Sequence, residues 1–229
     1  MKISIIIPCY NEVNTISLIL QKILEDKSYD KEVIVIDDGS TDGSLNLLQK
    51  MKSSINHLVV NSKNFGKGYS IRKGLIKASG DIIIIQDADL EYDPADYYKL
   101  TKPIINGNAD VVYGSRFIGS EVRRVHFFWH SIFNFFLTKL SNIFTNINLS
   151  DMEVGLKCFK SSIIKNLNLC ENRFGFEPEI TAKIAKKKLR IFEVGISYYG
   201  RTYKEGKKIN WKDGISAIRC IIYYNIFKN

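Results

Sequence analysis

A short acidic segment that follows a run of isoleucines is the part of this sequence best suited to chemistry. Residues 82–85 predict a buried strand, and Asp87, Asp89 and Glu91 follow it at every second position. Alternate side chains of an extended chain point the same way, so we expect these acids on one face. Carboxylate oxygens suit a hard divalent ion such as Mg²⁺ or Mn²⁺, which bridges diphosphate oxygens and neutralises charge on a leaving group. Without an ion, burying like charges together would raise their pKa values, so the segment predicts a metal site.

Other polar segments follow other predicted strands and should meet these acids at one edge of a sheet. They are Pro8 to Glu12 after the first strand, Asp37 to Asp42 after the second, Gln86 to Glu91 after the fourth and Gly114 to Arg116 after the fifth. In open parallel sheets, ligands bind where the strands end at their carboxyl side. Turn formation accounts for much of the Asp and Ser content after the second strand, but not for the adjacent carboxylates Asp37 and Asp38.

The elements that must position these segments alternate regularly through the first half of the chain. Apolar runs predict strands at 3–7, 32–36, 57–60, 81–85 and 110–113, and apolar residues at helical spacing predict helices at 16–24, 45–51 and 69–77. Asn14 is available to cap the first helix, and a further helix starts at Pro94 behind Asp93. This alternation predicts an α/β fold with a mostly parallel central sheet and helices on both faces.

A glycine-bearing segment at 64–68 does not match the common phosphate-binding loops. The pattern G-x-x-x-x-G-K-[ST] is absent, and the first strand is not followed by a glycine-rich turn. These absences argue against a P-loop kinase and against a dinucleotide oxidoreductase. Gly66 and Gly68 favour a tight turn into the next helix, and Lys67 is a candidate phosphate contact.

The chain is basic, with a formal net charge of +9, and its charges are unevenly distributed. The basic excess lies at 183–190 and 201–212, whereas 81–96 is acidic. Basic surfaces attract nucleic acid, anionic lipid or phosphorylated small molecules. An acidic cluster facing basic segments suits a metal-diphosphate site, and it disfavours a nucleic-acid partner, which would require basic and aromatic residues together.

The remaining composition indicates a cytosolic protein. No signal-peptide pattern opens the chain, and its four cysteines are scattered without a C-x-x-C pair, so reduced thiols are expected rather than a disulfide framework or a zinc site. The segment 126–144 holds seven aromatic residues but is too polar to cross a bilayer, which leaves a core helix or an interfacial helix as alternatives. We expect one catalytic domain at 1–214 and an amphipathic tail at 215–229.

Taken in order, these motifs resemble those of glycosyltransferase family 2. The resemblance is closest to the branch of dolichol-phosphate mannosyltransferases and bacterial polyprenyl-phosphate glycosyltransferases. It rests on Ile7 to Glu12, Asp37 to Asp42, Asn64 to Gly68, Gln86 to Asp89 and Gly114 to Phe117, and it continues through Asp151 to Gly155, Gly175 to Glu177 and Arg201 to Lys208. It therefore covers nearly the whole chain.

This resemblance implies the GT-A (nucleotide-diphospho-sugar transferase) fold, inversion at the anomeric carbon and a divalent metal, Mg²⁺ or Mn²⁺. The residues expected at the nucleotide sugar are Pro8, Tyr10, Glu12, Asp38, Lys67, Asp87, Arg116, Arg201 and Lys207 or its neighbour Lys208. Asp87, Asp89 and Glu91 are expected at the metal, and Asp89 and Asp151 are the candidate catalytic residues. Glu91 departs from the branch, which often has Gln at that position.

The resemblance also implies a choice of acceptor. The first hypothesis is transfer of a hexose from a GDP- or UDP-sugar to a polyprenyl phosphate, by an enzyme at the cytosolic face of the membrane. The second is transfer to a sugar hydroxyl in surface-glycan synthesis, for which Asp151 or Glu153 is the candidate base. A nucleotide-sugar sensor without catalysis is a third alternative. For Asp151, an N-cap or a salt bridge is the competing structural interpretation.

Overall fold

A mostly parallel, seven-stranded sheet forms the centre of the molecule in a computed structural model that describes residues 1–125, 127–202, 205–206, 208 and 211–228. The strands are β1 (Lys2–Cys9), β2 (Asp30–Asp37), β3 (His57–Val60), β4 (Ile82–Ile85), β5 (Val111–Ser115), β6 (Lys157–Lys160) and β7 (Ile191–Gly195). Their order is β3-β2-β1-β4-β6-β5-β7, and only β6 runs antiparallel to its neighbours β4 and β5 among the strands described. The predicted α/β class with a mostly parallel sheet is confirmed.

The connecting segments are largely helical. The helices are α1 (Ile16–Glu25), α2 (Ser44–Lys50), α3 (Lys67–Lys77), α4 (Tyr97–Ile105), α5 (Phe128–Thr145), α6 (Ser161–Ile164), α7 (Phe176–Lys186) and α8 (Trp211–Ile222). Asp93 accepts a hydrogen bond from the Ala95 amide at 3.1 Å, which confirms it as a cap. The predicted Asn14 cap is wrong, because Thr15 occupies that position and its side chain makes no capping bond.

The core is densest where strands and helices carry continuous apolar runs. All four isoleucines of β4 are fully buried, as expected for a central strand whose two faces are both covered. Helix α1 buries Ile16, Ile19, Leu20 and Ile23, whose spacing forms one stripe along the helix. Each such side chain stabilises the fold by about 1.5–3 kcal/mol, and together they fix the strand ends that carry the polar segments.

A buried carboxylate, Glu32, joins three segments at the amino ends of the strands. It accepts hydrogen bonds from the Ser4 hydroxyl at 2.6 Å, from the Ser79 amide at 2.7 Å and from the Ser79 hydroxyl at 2.8 Å. The Lys2 ammonium adds an ion pair at 3.3 Å. Burial raises the pKa of Glu32, but these donors outweigh it and hold that pKa at about 2.

Helices α5 and α8 pack against each other and against α7 beside the sheet. A Cβ added to Gly214 would lie 2.5 Å from a ring carbon of Phe133, so a larger residue there would displace this ring from its packing between α8 and α5. Helix α8 begins at Trp211, before the predicted tail at 215, and the division into a domain and a tail stays a prediction. None of the helices in the described part of the chain has the length and hydropathy that a transmembrane span requires.

Candidate functional site

A cavity of about 400 Å³ opens at the carboxyl ends of the strands. The predicted site residues that line it are Pro8, Tyr10, Glu12, Asp38, Lys67, Asp87, Asp89, Glu91, Arg116 and Arg201, together with Lys208. Lys207 lies outside the described residues. The structure therefore brings together segments that are far apart in sequence, as the parallel topology predicts.

The acidic segment does not continue β4 in extended form. The strand ends at Ile85, and Leu90 has a positive φ of 63°, which turns the chain. Within that turn the Glu91 amide donates to Asp89 at 3.1 Å. The expectation that alternation along a strand aligns the three acids is therefore wrong, since a turn sets their directions. All three still line the same cavity.

Asp38 positions the glycine-bearing segment. Its carboxylate accepts hydrogen bonds from the Phe65 amide at 3.1 Å, the Gly66 amide at 2.7 Å and the Asn61 side chain at 2.8 Å. Gly66 has a φ of 106°, and α3 begins at the next residue, so the predicted tight turn is confirmed. Asp38 thus holds this turn beside the cavity, and its contact with a nucleoside stays a prediction.

Lys67, at the start of α3, lies between two carboxylates. Its ammonium is 2.8 Å from Asp87 and 3.0 Å from Glu177. Burial lowers the pKa of Lys67, but the two negative charges outweigh it and raise that pKa above its ordinary value. Lys67 is therefore a fixed positive charge next to Asp87. Gly155 makes room for this arrangement, because a Cβ there would lie 2.0 Å from Asp87 Oδ2.

Arg201 joins three acids on the other side of the cavity. Its guanidinium donates to Glu12 at 2.9 and 3.0 Å and to Asp89 at 3.1 Å, while its backbone amide donates to Glu91 at 2.8 Å. Lys208 adds a second cation 2.5 Å from Glu12. Arg201 therefore balances the negative charge of this cluster, as a bound cation also would.

The pKa of Asp89, one of the three metal candidates, is raised above its ordinary value. Burial, followed by the negative charges of Glu91 and Asp87, raises the pKa of Asp89 to about 7, although Arg201 acts in the opposite direction. Glu91 also accepts a hydrogen bond from the Tyr198 hydroxyl at 2.9 Å. Such raised pKa values are typical of functional sites, where groups are held for a ligand rather than for stability.

The donor set fits a divalent ion that is shared with a phosphorylated ligand. Among the residues described, no group of three acidic, His or Cys side chains is arranged to hold a metal by itself. Mg²⁺ is usually bound through one or two carboxylates together with substrate phosphates. Asp87 and Asp89 border one cavity and match that pattern, whereas the described contacts of Glu91 turn it toward Tyr198 and Arg201.

Asp151 forms a two-point ion pair with Arg116. Its oxygens accept from the Arg116 Nε and Nη2 atoms, each at 2.7 Å, and from the Arg116 amide at 3.1 Å. Asn134 of α5 accepts from the same guanidinium at 3.1 Å. Asp151 is fully buried and paired with Arg116, so its contacts are those of a salt-bridge residue. Arg116 itself borders the cavity.

Two acidic residues of the cavity have oxygens without hydrogen-bond partners in the described part of the chain, Glu153 Oε1 and Glu177 Oε2. Burial, followed by the charge of Glu177, raises the pKa of Glu153 to about 8. The sequence alone predicts no role for Glu177 or Tyr198. Glu177 belongs to one of the segments that resemble the family's motifs. Tyr198 lies in no such motif, and it reaches the site from the segment that follows β7.

Comparison with known sequences decides the family. The sequence profile of glycosyl transferase family 2 matches residues 4–167. The chain belongs to this family. The match covers most of β1, the strands β2 to β4, the acidic segment, Arg116 and Asp151, and therefore includes most of the residues that line the cavity.

Two proteins of similar sequence have names that include a polyprenyl phosphate. An undecaprenyl-phosphate 4-deoxy-4-formamido-L-arabinose transferase of Photorhabdus laumondii subsp. laumondii is 28% identical, over 90% of this chain and 62% of its own length. This chain thus spans less than two thirds of that relative. A dolichyl-phosphate beta-glucosyltransferase of Trichomonas vaginalis is 24% identical, over 98% of this chain and 74% of its own length.

Solved structures support the GT-A-like fold. Glucosyl-3-phosphoglycerate synthase of Mycobacterium tuberculosis in complex with Mn²⁺ and UDP-glucose superposes with a TM-score of 0.75 at 19% identity, covering 98% of this chain and 79% of the other. The same enzyme in complex with Mg²⁺ and UDP gives a TM-score of 0.74 at 20% identity, with 98% and 79% covered. At this identity the likeness establishes the fold alone.

Proposed function

We propose that this protein transfers a hexose from a nucleotide diphosphate sugar to a polyprenyl phosphate, with inversion at the anomeric carbon. The observation that carries the proposal is a single cavity in which Asp87 and Asp89 lie beside the fixed cations Lys67 and Arg201. This combination suits a diphosphate with a divalent ion. The relatives named for undecaprenyl and dolichyl phosphate support the acceptor class.

On the donor side, Asp87 and Asp89 would hold Mg²⁺ or Mn²⁺, which would supply positive charge for the departing nucleoside diphosphate. Lys67 and Arg201 are each within 3.1 Å of one of these acids, so they add positive charge next to the same phosphates. Arg201 suits a phosphate particularly well, because its planar guanidinium donates two parallel hydrogen bonds. UDP and GDP remain the two candidate nucleotides.

On the acceptor side, a phosphate oxygen needs no strong base, because it is already anionic near neutral pH. It attacks the anomeric carbon, the bond from that carbon to the diphosphate breaks, and the nucleoside diphosphate leaves with the bonding electron pair. Arg116 borders the cavity and is held in place by Asp151, so it is the cation that we assign to the acceptor phosphate. Asp151 is then a positioning residue.

A sugar hydroxyl is the alternative acceptor, and one observation favours it. A hydroxyl acceptor must lose its proton, and Glu153 borders the cavity with a pKa raised to about 8, near the range of an effective general base. This alternative shares every donor contact described above. The two hypotheses differ in the acceptor, in the need for a base and in the product.

The test is a transfer assay with radiolabelled UDP- and GDP-sugars, Mg²⁺ or Mn²⁺, and polyprenyl phosphate or free glycan acceptors. We expect label in the organic-extractable lipid, and none with Asp87→Asn. Label that enters only water-soluble glycan with every donor would overturn the lipid acceptor and support the hydroxyl. Glu153→Gln also separates the two hypotheses. It should leave the rate of transfer to a phosphate within about threefold of the wild type, and it should lower the rate of transfer to a hydroxyl by about 10² or more.

A further inference from the structure

Five cationic side chains line the cavity, and they differ in whether an acid balances their charge. Four are paired with acids of the site, namely Lys67, Arg116, Arg201 and Lys208. The fifth, Arg173, is exposed at the cavity, and its guanidinium has no ion pair or hydrogen bond with any residue that the structure describes. A phosphate can therefore bind Arg173 without displacing an acid from it, which lowers the cost of binding.

An exposed arginine is common on protein surfaces, but the loop that carries this one is held on several sides. We call residues 170–175 the arginine loop. The fully buried carboxylate of Glu179, on α7, accepts hydrogen bonds from the amides of Cys170 and Glu171, each at 2.7 Å. The carboxylate of Glu171 in turn accepts a hydrogen bond from Arg219 of α8 at 2.9 Å. These charge-assisted hydrogen bonds fix the arginine loop against α7 and α8.

The arginine loop also packs on the glycine-bearing segment at the start of α3. The Asn172 carbonyl accepts a hydrogen bond from the Tyr69 amide at 3.0 Å. A Cβ added to Gly66 would overlap the Asn172 carbonyl oxygen, and one added to Gly68 would overlap the carbonyl oxygen of Glu171. Both glycines therefore admit the arginine loop to this position, in addition to their part in the turn. The guanidinium is thus carried by a platform that is built before any ligand binds.

The position of Arg173 indicates which ligand group it meets. A Cβ added to Gly66 would lie 2.8 Å from Arg173 Cγ, so the arginine side chain packs closely on this turn. The Gly66 amide donates to Asp38, and Lys67 is the next residue along the chain. Asp38 and Lys67 are both expected at the nucleotide diphosphate, whereas Arg116, which we assign to the acceptor, lies beside α5. Arg173 therefore borders the donor side of the cavity.

We propose that Arg173 is a preformed contact for a phosphate of the nucleotide diphosphate and that the arginine loop holds it in place for that ligand. This inference rests on the donor half of the proposed function. A planar guanidinium donates two parallel hydrogen bonds to phosphate oxygens. Lys67 and Arg201 must divide their charge between the phosphates and the acids that they already pair with, whereas no described acid competes for Arg173. Arg173 then contributes to the binding of the nucleotide rather than to the chemical step.

Calorimetric titration of UDP and of GDP, each with Mn²⁺, tests this contact without an acceptor. The test variant is Arg173→Gln, and the matched control is Lys63→Gln, which removes an equal charge from an exposed residue that does not line the cavity. We expect the Kd of the nucleotide that binds to rise about tenfold in Arg173→Gln and to stay within about twofold of the wild type in Lys63→Gln. Arg173→Lys keeps the charge but loses the paired donors, so we expect a smaller loss of about threefold.

Transfer assays show whether the contact acts on binding or on the chemical step. We expect the donor KM to rise about tenfold in Arg173→Gln, while kcat stays within about threefold of the wild type. Circular dichroism checks that Arg173→Gln is folded, as we expect because the Arg173 side chain makes no hydrogen bond within the described structure. If Arg173→Gln is not folded, Arg173→Lys supplies the same test through its smaller loss of affinity.

Equal Kd values for the wild type and Arg173→Gln would overturn the inference. A variant that binds UDP and GDP normally but loses affinity for UDP-glucuronate would also overturn it, because Arg173 would then meet a sugar carboxylate. Normal nucleotide binding with a raised KM for polyprenyl phosphate would have the same consequence, since Arg173 would then meet the acceptor.

Three outcomes separate this inference from the proposed function. Nucleotide binding that weakens in Arg173→Gln, in a protein that transfers sugar to no lipid phosphate, supports the contact and overturns the proposed acceptor. Wild-type transfer to polyprenyl phosphate with nucleotide binding that is insensitive to Arg173→Gln overturns the contact alone. A wild type that binds neither nucleotide with Mn²⁺ overturns both.

Discussion

Carboxylates at opposite ends of the same strands differ in how their charge is satisfied. At the amino ends, Glu32 accepts hydrogen bonds from Ser4 and Ser79, and these bonds hold its pKa at about 2 despite burial. At the carboxyl ends, Asp87, Asp89 and Glu91 line one cavity, and burial with mutual repulsion raises the pKa of Asp89 to about 7.

The difference separates a carboxylate that stabilises the fold from carboxylates kept for a ligand. Glu32 is surrounded by hydroxyl and backbone amide donors and by the Lys2 ammonium, so the folded protein itself satisfies the charge of Glu32. The carboxyl-end acids rely on Lys67 and Arg201, two long side chains that a phosphorylated ligand also attracts. One oxygen of the neighbouring Glu177 has no hydrogen-bond partner among the described residues, which is a further sign of an incompletely satisfied site.

The largest expected effect is at Asp87. Asp87→Asn keeps the shape of the side chain but removes the charge that pairs with Lys67 and that, in the proposed function, would hold the ion. We expect kcat/KM for sugar transfer to fall by about 10³ or more, with the fold unchanged by circular dichroism. Transfer that persists within tenfold of the wild type would show that the carboxyl-end acids are structural.

Next in size is the loss of stability at Glu32. Glu32→Gln places an amide where two hydroxyls and one backbone amide donate, so we expect unfolding at about pH 7 to require about 2 kcal/mol less. The depressed pKa means that this contribution is present above the ordinary pKa of 4.5 and is lost as the pH falls toward about 2. Urea denaturation at several pH values measures it. A difference that grows in acid would contradict the account.

Arg201 should act as a competitor of the metal. In the absence of nucleotide, Arg201→Gln removes the cation that pairs with Asp89, so we expect Mn²⁺ to bind about tenfold more tightly. Electron paramagnetic resonance of free Mn²⁺ during a titration measures this. Arg219→Gln is the matched control, because Arg219 of α8 also pairs with an acid, Glu171, but neither of these two residues lines the cavity. Unchanged Mn²⁺ affinity in Arg201→Gln would show that Arg201 and the ion do not share Asp89.

Glu91 should give the smallest effect. Its described contacts are with Tyr198 and Arg201, and a glutamine can still accept one of those hydrogen bonds. We therefore expect Glu91→Gln to lower kcat/KM by less than about tenfold. A loss as large as that of Asp87→Asn would instead make Glu91 a direct metal ligand, as the resemblance to the family implied.

The sequence was sufficient to predict β1 to β4, the helices between them and the meeting of the polar segments at one edge. These depend on local periodicity and on the topology of parallel sheets. It did not predict β6, because a short strand with the buried charge of Lys157 lacks a strand pattern. It also did not predict the pairing of Arg201 with Glu12, since these residues are 189 positions apart and only the fold brings them together.

Calorimetric titration of UDP and GDP into the protein, with Mn²⁺ or with a chelator, tests the central claim most directly. We predict that one of the two nucleotides binds to the protein only when Mn²⁺ is present. Asp87→Asn should lose this binding, and Glu32→Gln should keep it. Binding of equal affinity in the chelator, or in Asp87→Asn, would contradict the account.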